Sequence, residues 1–373
     1  LKQMVIGLLK EPDFETRVAL TPEVVKTLID KGAKVLVETE AGLAASFRNS
    51  DYEAAGAEIS PRKTVLTAEV LIGIQPLATD AFDNLQANQL LFGMYQPLVN
   101  AERMQKLAEK GVSCISMDAI PRITRAQSMD VLSSQASLAG YQAVLRAASL
   151  LPRLFPMMMT AAGTIAPAKV LVIGAGVAGL QAIATAKRLG AVVEAFDTRL
   201  SVKEQVESLG GRFVEVAGAV EDKGAGGYAV EQSAEYKQKQ SEELEKRIVA
   251  ADVVITTALI PGRTAPVLIT ASMVERMRAG SVIIDLAAAA GGNCELTQNN
   301  QICTTHEVII VGNGNLPAEK PQDASRMYAK NMLNYLTPCI KEGQLTLNFE
   351  DEIIKGSVIT HGGAVVWGPL NKQ

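Results

Sequence analysis

KVLVIGAGVAGLQAIATAKR, residues 169–188, is the stretch whose reading decides the fold. After Lys169 the run Val170–Ile173 is continuously apolar and mostly β-branched, as in a strand buried on both faces. Gly174, Gly176 and Gly179 then intervene, and apolar residues resume at helical spacing. Residues 170–186 carry no charge and are almost long enough to cross a bilayer, but this internal change of period reads as strand, turn and helix rather than a membrane span. Glycines spaced G-x-G-x-x-G between a strand and a helix form the dinucleotide fingerprint. Gly174 permits the tight turn, Gly176 lets the backbone approach a pyrophosphate, and Gly179 lets helix and strand come close. The phosphates would meet free N–H groups and the positive end of the helix. The next strand, VVEAF (192–196), leads to Asp197, whose carboxylate can accept from ribose hydroxyls and repels a 2′-phosphate. Arg199 can accommodate that phosphate, so the residues favour NAD over NADP without fixing the choice. A glycine-rich turn with no ligand is the bland alternative.

Working outward, DVVITTA (252–258), SVIIDLA (281–287) and EVIIVG (307–312) continue the alternation of strand and helix. Upstream, MVIGLL (4–9), KVLVE (34–38), VLIGI (70–74) and QLLFGM (89–94) form an earlier series, with Thr21-Pro22 as helix cap and first helical residue and Gly32 as the stop. Such alternation means an α/β fold with mostly parallel sheets. Gln127 to Leu151 has few charges and no proline, as expected of a long buried helix bridging two domains. ASRMYAKNMLNYLTPCI (324–340) is another helix, and the remaining C-terminal residues are too few for a third core. The expected domains are 1–133 completed by 326–373, and 134–325. Residues 217–240 break the pattern: AGAVEDKGAGGYA (217–229) is glycine-rich and EQSAEYKQKQSEELEKR (231–247) is polar. A mobile loop entering an exposed helix is expected there, either a linker or a lid, and Tyr228 among the glycines favours the lid.

Composition narrows the chemistry. With 373 residues, 36 basic against 40 acidic side chains and a net charge of −4, the chain lacks the basic footprint of a nucleic-acid binder. Cys114, Cys294, Cys303 and Cys339 are far apart, which points to reduced thiols, and two histidines make an imidazole-built metal site improbable. The opening LKQMVIGLLKEP has neither the length nor the cleavage site of a signal peptide, so a cytoplasmic location is expected.

A self-contained dehydrogenase places a proton-moving group near its substrate. His306, before a strand, and His361, beside Gly362-Gly363, suit exposed or structural roles better than catalysis. The polar cluster is PRITRAQSMDVLSS (121–134). Its arginine, glutamine and aspartate can hold an amide and a ribose, with Asp130 paired to Arg122 or Arg125. Helix capping and surface ion pairing account for the same spacing equally well.

PRITRAQSMDVLSSQASLAGY (121–141), FPMMMTAAGTIAPAKVLVIGAGVAGLQAIATAKRLGA (155–191), KEQVESLGG (203–211), TTALIPG-x-x-APVLIT (256–270) and GSVIIDLAAAAGGNCE (280–295) together resemble the NAD(H)-binding component, domain I, of proton-translocating NAD(P) transhydrogenases. The resemblance runs nearly end to end. It implies two Rossmann-like domains linked by long helices, a homodimer, and NAD(H) in the cleft between the domains. Arg122, Ile123, Thr124, Gln127, Asp130 and Ser133 would surround the nicotinamide and its ribose, Gln127 reaching toward NADP(H) on a partner, with Tyr141 supporting the region. Arg122, Gln127 and Asp130 would be the catalytic group. Val177 and the glycine turn would face the pyrophosphate, and Asp197, Thr198 and Arg199 the adenosine end. Gly227, Tyr228 and Gln240 match the family's mobile loop and following helix, while Ala258 and Leu259 match its adenine-side strand end. In that family hydride passes directly from one nicotinamide C4 to another, so the site needs no acid or base. The family's membrane-spanning and NADP(H)-binding components have no counterpart in these residues, which would place the chain peripherally on the cytoplasmic side. Whether it is a separate subunit or a fragment of a longer polypeptide stays open, though its opening on Leu1 without methionine points to residues removed ahead of it.

Alanine dehydrogenase is the alternative, sharing KEP (10–12) and ETRVALTP (15–22), including Arg17, together with the fingerprint. Where its pattern has lysine in K-x-K-E-P, this chain reads Gly73-Ile74-Gln75-Pro76; where it has histidine, Met94-Tyr95-Gln96; where it has aspartate before the paired glycines, Ala289. A non-catalytic NADH sensor is a further alternative.

Overall fold

The computed structural model describes residues 3–216, 234–259, 262–341 and 343–370. The chain divides into two compact units, Leu1–Gln135 with Ala318–Gln373, and Ala136–Pro317.

The apolar runs of the first unit form a six-stranded sheet. Its strands are parallel, in the order Glu58–Ser60, Lys34–Glu38, Val5–Leu8, Val70–Ile72, Leu90–Gly93 and Ser113–Ser116. Side chains alternate between the faces of a strand, so a sheet covered on both sides needs two cores. Ile6, Leu8, Val35 and Ile72 share one core with Val25 and Leu28 of helix Pro22–Asp30. Leu36, Leu71 and Leu91 share the other with Val65, Met104 and Leu107. Helix Pro321–Cys339 places Tyr328, Met332, Tyr335 and Leu336 in the first of these cores. Its N-terminal part is tied in as well, since Val18 N donates to Ser325 Oγ at 2.9 Å. The exchange between units thus lies at Pro317/Ala318, earlier in the chain than the boundary expected from sequence.

The second unit repeats the strand order. Arg212–Phe213, Val192–Phe196, Lys169–Ile173, Val253–Thr256, Val282–Asp285 and Val308–Val311 are parallel, and Ile302–Thr305 adds an antiparallel edge. One face, with Val170, Val172 and Ile255, packs on Ala143, Ala147 and Ile183 of two helices. The other, with Leu171, Ile173 and Ile283, packs on Leu244, Ile248 and Met273. In both sheets the strand order reverses beside the first strand, and open α/β sheets bind ligands beyond the carboxyl ends of their strands at such a point.

Several local expectations are corrected. The long helix is Val131–Leu150, preceded by 3₁₀ turns over Thr124–Met129 rather than starting at Gln127. Thr21 precedes helix Pro22–Asp30, but its side chain makes no capping bond. Two hairpins escape sequence reading. Strand Ile302–Thr305 joins Val308–Val311 through His306 and Glu307, both with positive φ (51° and 59°) in place of the usual Asn-Gly. Met158–Thr160 pairs with Gly163–Ile165 in a ribbon exposed along both strands. No helix among the described residues is long and apolar enough to cross a membrane.

Candidate nucleotide-binding site

Lys169–Ile173 delivers the chain to the glycine turn at the switch point of the second sheet. Gly174 has φ +100°, and a side chain there would collide with Thr257 Oγ1. A Cβ on Gly179 would overlap the Gly174 carbonyl, so glycine is what lets helix Val177–Arg188 start this close to the strand. Gly176 differs, since among the described residues nothing lies within 4 Å of where its Cβ would point. Gly176 is also the N-cap and offers no side chain to the first-turn N–H groups. Val177, the first helical residue, is 43 % exposed despite its apolar side chain.

Asp197, at the end of the neighbouring strand, is buried. Its Oδ2 accepts from Ala175 N at 2.8 Å, which ties it to the glycine turn. Its Oδ1 accepts from Arg199 N and Nε, and Oδ2 also accepts from Arg199 Nη2 at 2.8 Å. This fork raises the Arg199 pKa above its ordinary value. The arginine that sequence alone allowed to serve a 2′-phosphate is thus turned onto the carboxylate that repels one. Thr198 between them is half-buried.

The end of strand Val253–Thr256 forms the opposite wall. Thr257 N donates to Ile173 O at 2.8 Å and Thr257 Oγ1 to Gly174 O at 3.0 Å, locking this strand end to the turn. Ala258 is half-buried and Leu259 is 46 % exposed. Gln240, half-buried, lies in helix Ala234–Ala250. Gly227 and Tyr228, with the rest of 217–233, lie outside the described residues.

In the first unit, Arg122, Ile123, Thr124, Gln127, Asp130 and Ser133 line a single pocket with Pro121 and Ala126. Arg122, Thr124 and Gln127 are exposed. Asp130 does not pair with Arg125, as the spacing allowed. Its Oδ1 accepts from Ser133 N at 2.9 Å and Oδ2 from Ser133 Oγ at 2.5 Å, so it caps helix Val131–Leu150. Arg125 instead donates to both Asp351 oxygens, at 2.8 and 2.6 Å, and holds that carboxyl below its usual range. Tyr141, in the second unit, is 40 % exposed. Neither histidine enters these clusters: His306 is exposed in its turn, and His361 Nδ1 lies 2.9 Å from Ser113 Oγ with its ring on Phe349.

The switch point of the first sheet holds a polar cluster around Arg17 and Gln75, whose mutual pairing sequence reading did not foresee. Glu11 Oε1 and Oε2 accept from Ile74 N at 2.6 Å and Gln75 N at 3.0 Å, and burial pushes this carboxyl up to about 8 against those bonds. Arg17, 3 % exposed, donates Nε and Nη2 to Glu15 at 2.7 and 2.6 Å and Nη1 to Gln135 at 2.8 Å. Gln75 Nε2 donates to Glu15 at 2.7 Å. Burial works to raise Glu15, but the Arg17 guanidinium overrides it and holds the carboxyl below the usual range. Among the described residues no group of three or more His, Cys, Asp or Glu side chains is placed to hold a metal ion.

Two sheets of Rossmann strand order, one ending in a dinucleotide turn, define a two-unit protein of the nucleotide-binding dehydrogenase type. The N-terminal domain of the alanine dehydrogenase/PNT family matches residues 7–139 and its C-terminal domain residues 143–368. The chain therefore belongs to that family, on its NAD(P) transhydrogenase alpha-subunit branch. It is 48 % identical to the first part of the NAD(P) transhydrogenase alpha subunit of Rhodospirillum rubrum, over 96 % of each chain. Among solved structures, the transhydrogenase from Sinorhizobium meliloti is similar at TM-score 0.86 and 40 % identity, covering 98 % of this chain and 99 % of that one. An L-alanine dehydrogenase is similar at TM-score 0.82 and 26 % identity, covering 99 % and 98 %.

Proposed function

We propose that this chain is the NAD(H)-binding part of a proton-translocating NAD(P) transhydrogenase. The observation that carries the reading is the Gly174–Gly179 turn, whose helix start has no side-chain cap, with the Cβ position of Gly176 clear of the described residues and Asp197 fixed beside it. The turn would take the pyrophosphate, Asp197 with Thr198 and Arg199 the adenosine end, and Ala258–Leu259 the adenine side. Gln240 belongs to the same nucleotide site. Arg122, Ile123, Thr124, Gln127, Asp130 and Ser133 would receive the nicotinamide and its ribose. NAD(H) is preferred over NADP(H) because the Arg199 fork faces Asp197.

When bound, NADH supplies a hydride that leaves its C4 for the C4 of NADP⁺ on the partner component, giving NAD⁺ and NADPH. No proton of a third substrate moves in that exchange, so this chain's task is to orient the ring and exclude water. Proton translocation belongs to the assembly with the membrane-spanning component, which this chain would join peripherally on the cytoplasmic side.

The alanine dehydrogenase reading is weaker for a structural reason as well as a sequence one. Gly73-Ile74-Gln75-Pro76 stands where that enzyme's pattern has lysine in K-x-K-E-P, Met94-Tyr95-Gln96 where it has histidine, and Ala289 where it has aspartate. Arg17, which the two share, is enclosed by Glu15 and Gln135 rather than presented to a substrate carboxylate. The test is to mix the chain with its cognate NADP(H)-binding component, NADH deuterated at C4 and NADP⁺, and follow the label by mass spectrometry. Deuterium is expected in NADPH only when both proteins are present, with none exchanged to solvent and no alanine-dependent NADH formation. NADH binding without any transfer would leave the sensor reading, and robust alanine turnover would overturn the proposal.

A homodimer fits one feature of the second unit. The ribbon Met158–Ile165 leaves Met159 72 % and Ile165 43 % exposed, with the preceding Met157 59 % exposed, and several exposed apolar side chains on one short ribbon suit association. Met159→Asp is expected to convert a dimer into a monomer in light scattering while leaving the circular dichroism unchanged. A dimer that survives the substitution would put the contact elsewhere.

A further inference from the structure

Asn293 is fully buried, and its carboxamide makes bonds to both Ala258 and Pro266. Its Oδ1 accepts from Ala258 N at 3.0 Å and its Nδ2 donates to Ala258 O at 2.8 Å, so one side chain pairs with both backbone polar groups of Ala258 as a neighbouring strand would. The same Nδ2 donates to Pro266 O at 2.8 Å. Its backbone continues the grip, since Leu268 N and Ile269 N donate to Asn293 O at 2.8 and 2.9 Å. Ala258 and Pro266 are therefore held together by a single residue.

Asn293 is itself held by Asp285, the fully buried last residue of strand Val282–Asp285. Oδ2 of Asp285 accepts from Asn293 N at 2.8 Å, Cys294 N at 3.0 Å and Thr297 Oγ1 at 2.6 Å. Oδ1 accepts from Thr256 Oγ1 and Ala287 N, each at 3.0 Å. Desolvating a carboxylate is costly unless its lone pairs are satisfied, and these donors satisfy them while fixing the backbone at 293–294. Thr256 ends the strand that leads to Ala258, and Thr257 binds the Gly174 carbonyl. A bonded chain thus runs from Asp285 through Asn293 and Ala258 to the glycine turn.

We infer that Asn293, seated on Asp285, is a positioning residue that sets the adenosine-side wall of the nucleotide site by clasping Ala258 and Pro266. The inference rests on the nucleotide reading of this site. It assigns Asn293 no contact with the nucleotide. The clasp makes the Ala258–Leu259 wall rigid before binding, so the ordering cost is met on folding rather than on association. Removing the carboxamide leaves the fold's sheet intact but releases Ala258 and Pro266 from each other.

The test titrates NADH and ADP into the wild-type chain, Asn293→Ala and Thr297→Val, and measures hydride exchange with the partner at saturating NADH. Asn293→Ala is expected to weaken NADH and ADP alike by roughly tenfold, the factor of about one lost hydrogen bond, with kcat within about twofold of wild type. Thr297→Val, which withdraws one donor from Asp285 and conserves volume, is expected to weaken ADP about two- to threefold, a smaller share of the same effect; it keeps the test open should Asn293→Ala not fold. Unchanged ADP affinity in a folded Asn293→Ala, or in Thr297→Val if that is the only folded variant, overturns the inference. A fall in kcat as large as the loss of binding also overturns it. Wild-type protein that binds neither NADH nor ADP would instead sink the nucleotide reading itself.

Discussion

Gly179→Ala is expected to abolish measurable NADH binding and to lower the stability of the protein, whereas Gly176→Ala, three positions earlier, is expected to weaken binding with no loss of stability. The two glycines meet different surroundings. At Gly179 a methyl group would overlap the Gly174 carbonyl oxygen and come within 2.9 Å of its carbon, and neither backbone atom can swing aside. Relief requires the start of helix Val177–Arg188 to lift away from strand Lys169–Ile173. Overpacking of this kind costs about 1–3 kcal/mol and occasionally more. The displaced atoms are those that shape the turn, so its N–H groups lose their common aim and the anion site goes with them. At Gly176 no described residue lies within 4 Å of the Cβ position, and its φ of −79° suits alanine. A methyl there meets only what binds. Calorimetric titration with NADH and thermal melts of the two variants separate the cases. Gly176→Ala binding NADH as tightly as wild type would show that the open space at this residue is not where the pyrophosphate rests. Gly179→Ala retaining both binding and stability would show that the close approach of helix and strand can relax without consequence.

The parts of the site legible in the sequence are those whose physical signature is local. The glycine turn is one: a buried apolar run, a spaced set of glycines and a resumed helical period lie within KVLVIGAGVAGLQAIATAKR (169–188), and each element occurs where that pattern puts it. Continuous apolar runs likewise mark the central strands, because a parallel sheet covered on both faces permits no polar alternation. The pairings that escape join residues far apart in the chain. Ala258 and Asn293 are 35 residues apart, and Arg125 reaches across 226 residues to Asp351 rather than to Asp130 nearby. Neither pairing leaves a mark on local composition. Within GSVIIDLAAAAGGNCE (280–295), a small polar side chain following paired glycines at a strand end is the one local signal that could have singled out Asn293. The missed hairpins have a different cause. His306-Glu307 adopts left-handed backbone without the glycine or asparagine that usually announces it, so propensity pointed away from a turn that the pairing of Ile302–Thr305 with Val308–Val311 imposes.

The second large effect is expected at the other cluster. Gln127→Asn should slow hydride exchange by about 10- to 100-fold, since misplacing a reacting group by about 1 Å can cost that much, while NADH affinity stays within about threefold of wild type. Gln127 is exposed on the 3₁₀ segment Thr124–Met129 and lines one pocket with Arg122, Asp130 and Ser133. Shortening it by one methylene therefore disturbs no core. The amide is withdrawn from the pocket while Arg122 and Ser133 keep their places. Asp130→Asn should act in the same direction for a separable reason. Asparagine is as good a helix cap as aspartate, so its remaining oxygen can keep the 2.9 Å bond from Ser133 N and the helix start. An amide nitrogen at the second position cannot accept from Ser133 Oγ, whose hydroxyl must then turn toward the pocket or solvent. Exchange should fall with little change in melting temperature. A cap and nothing more would predict the reverse, a rate untouched by either substitution. Ordinary ligand contacts would predict equal losses of NADH affinity and rate. The claim that this segment orients the nicotinamide survives only if rate falls much further than affinity in both variants.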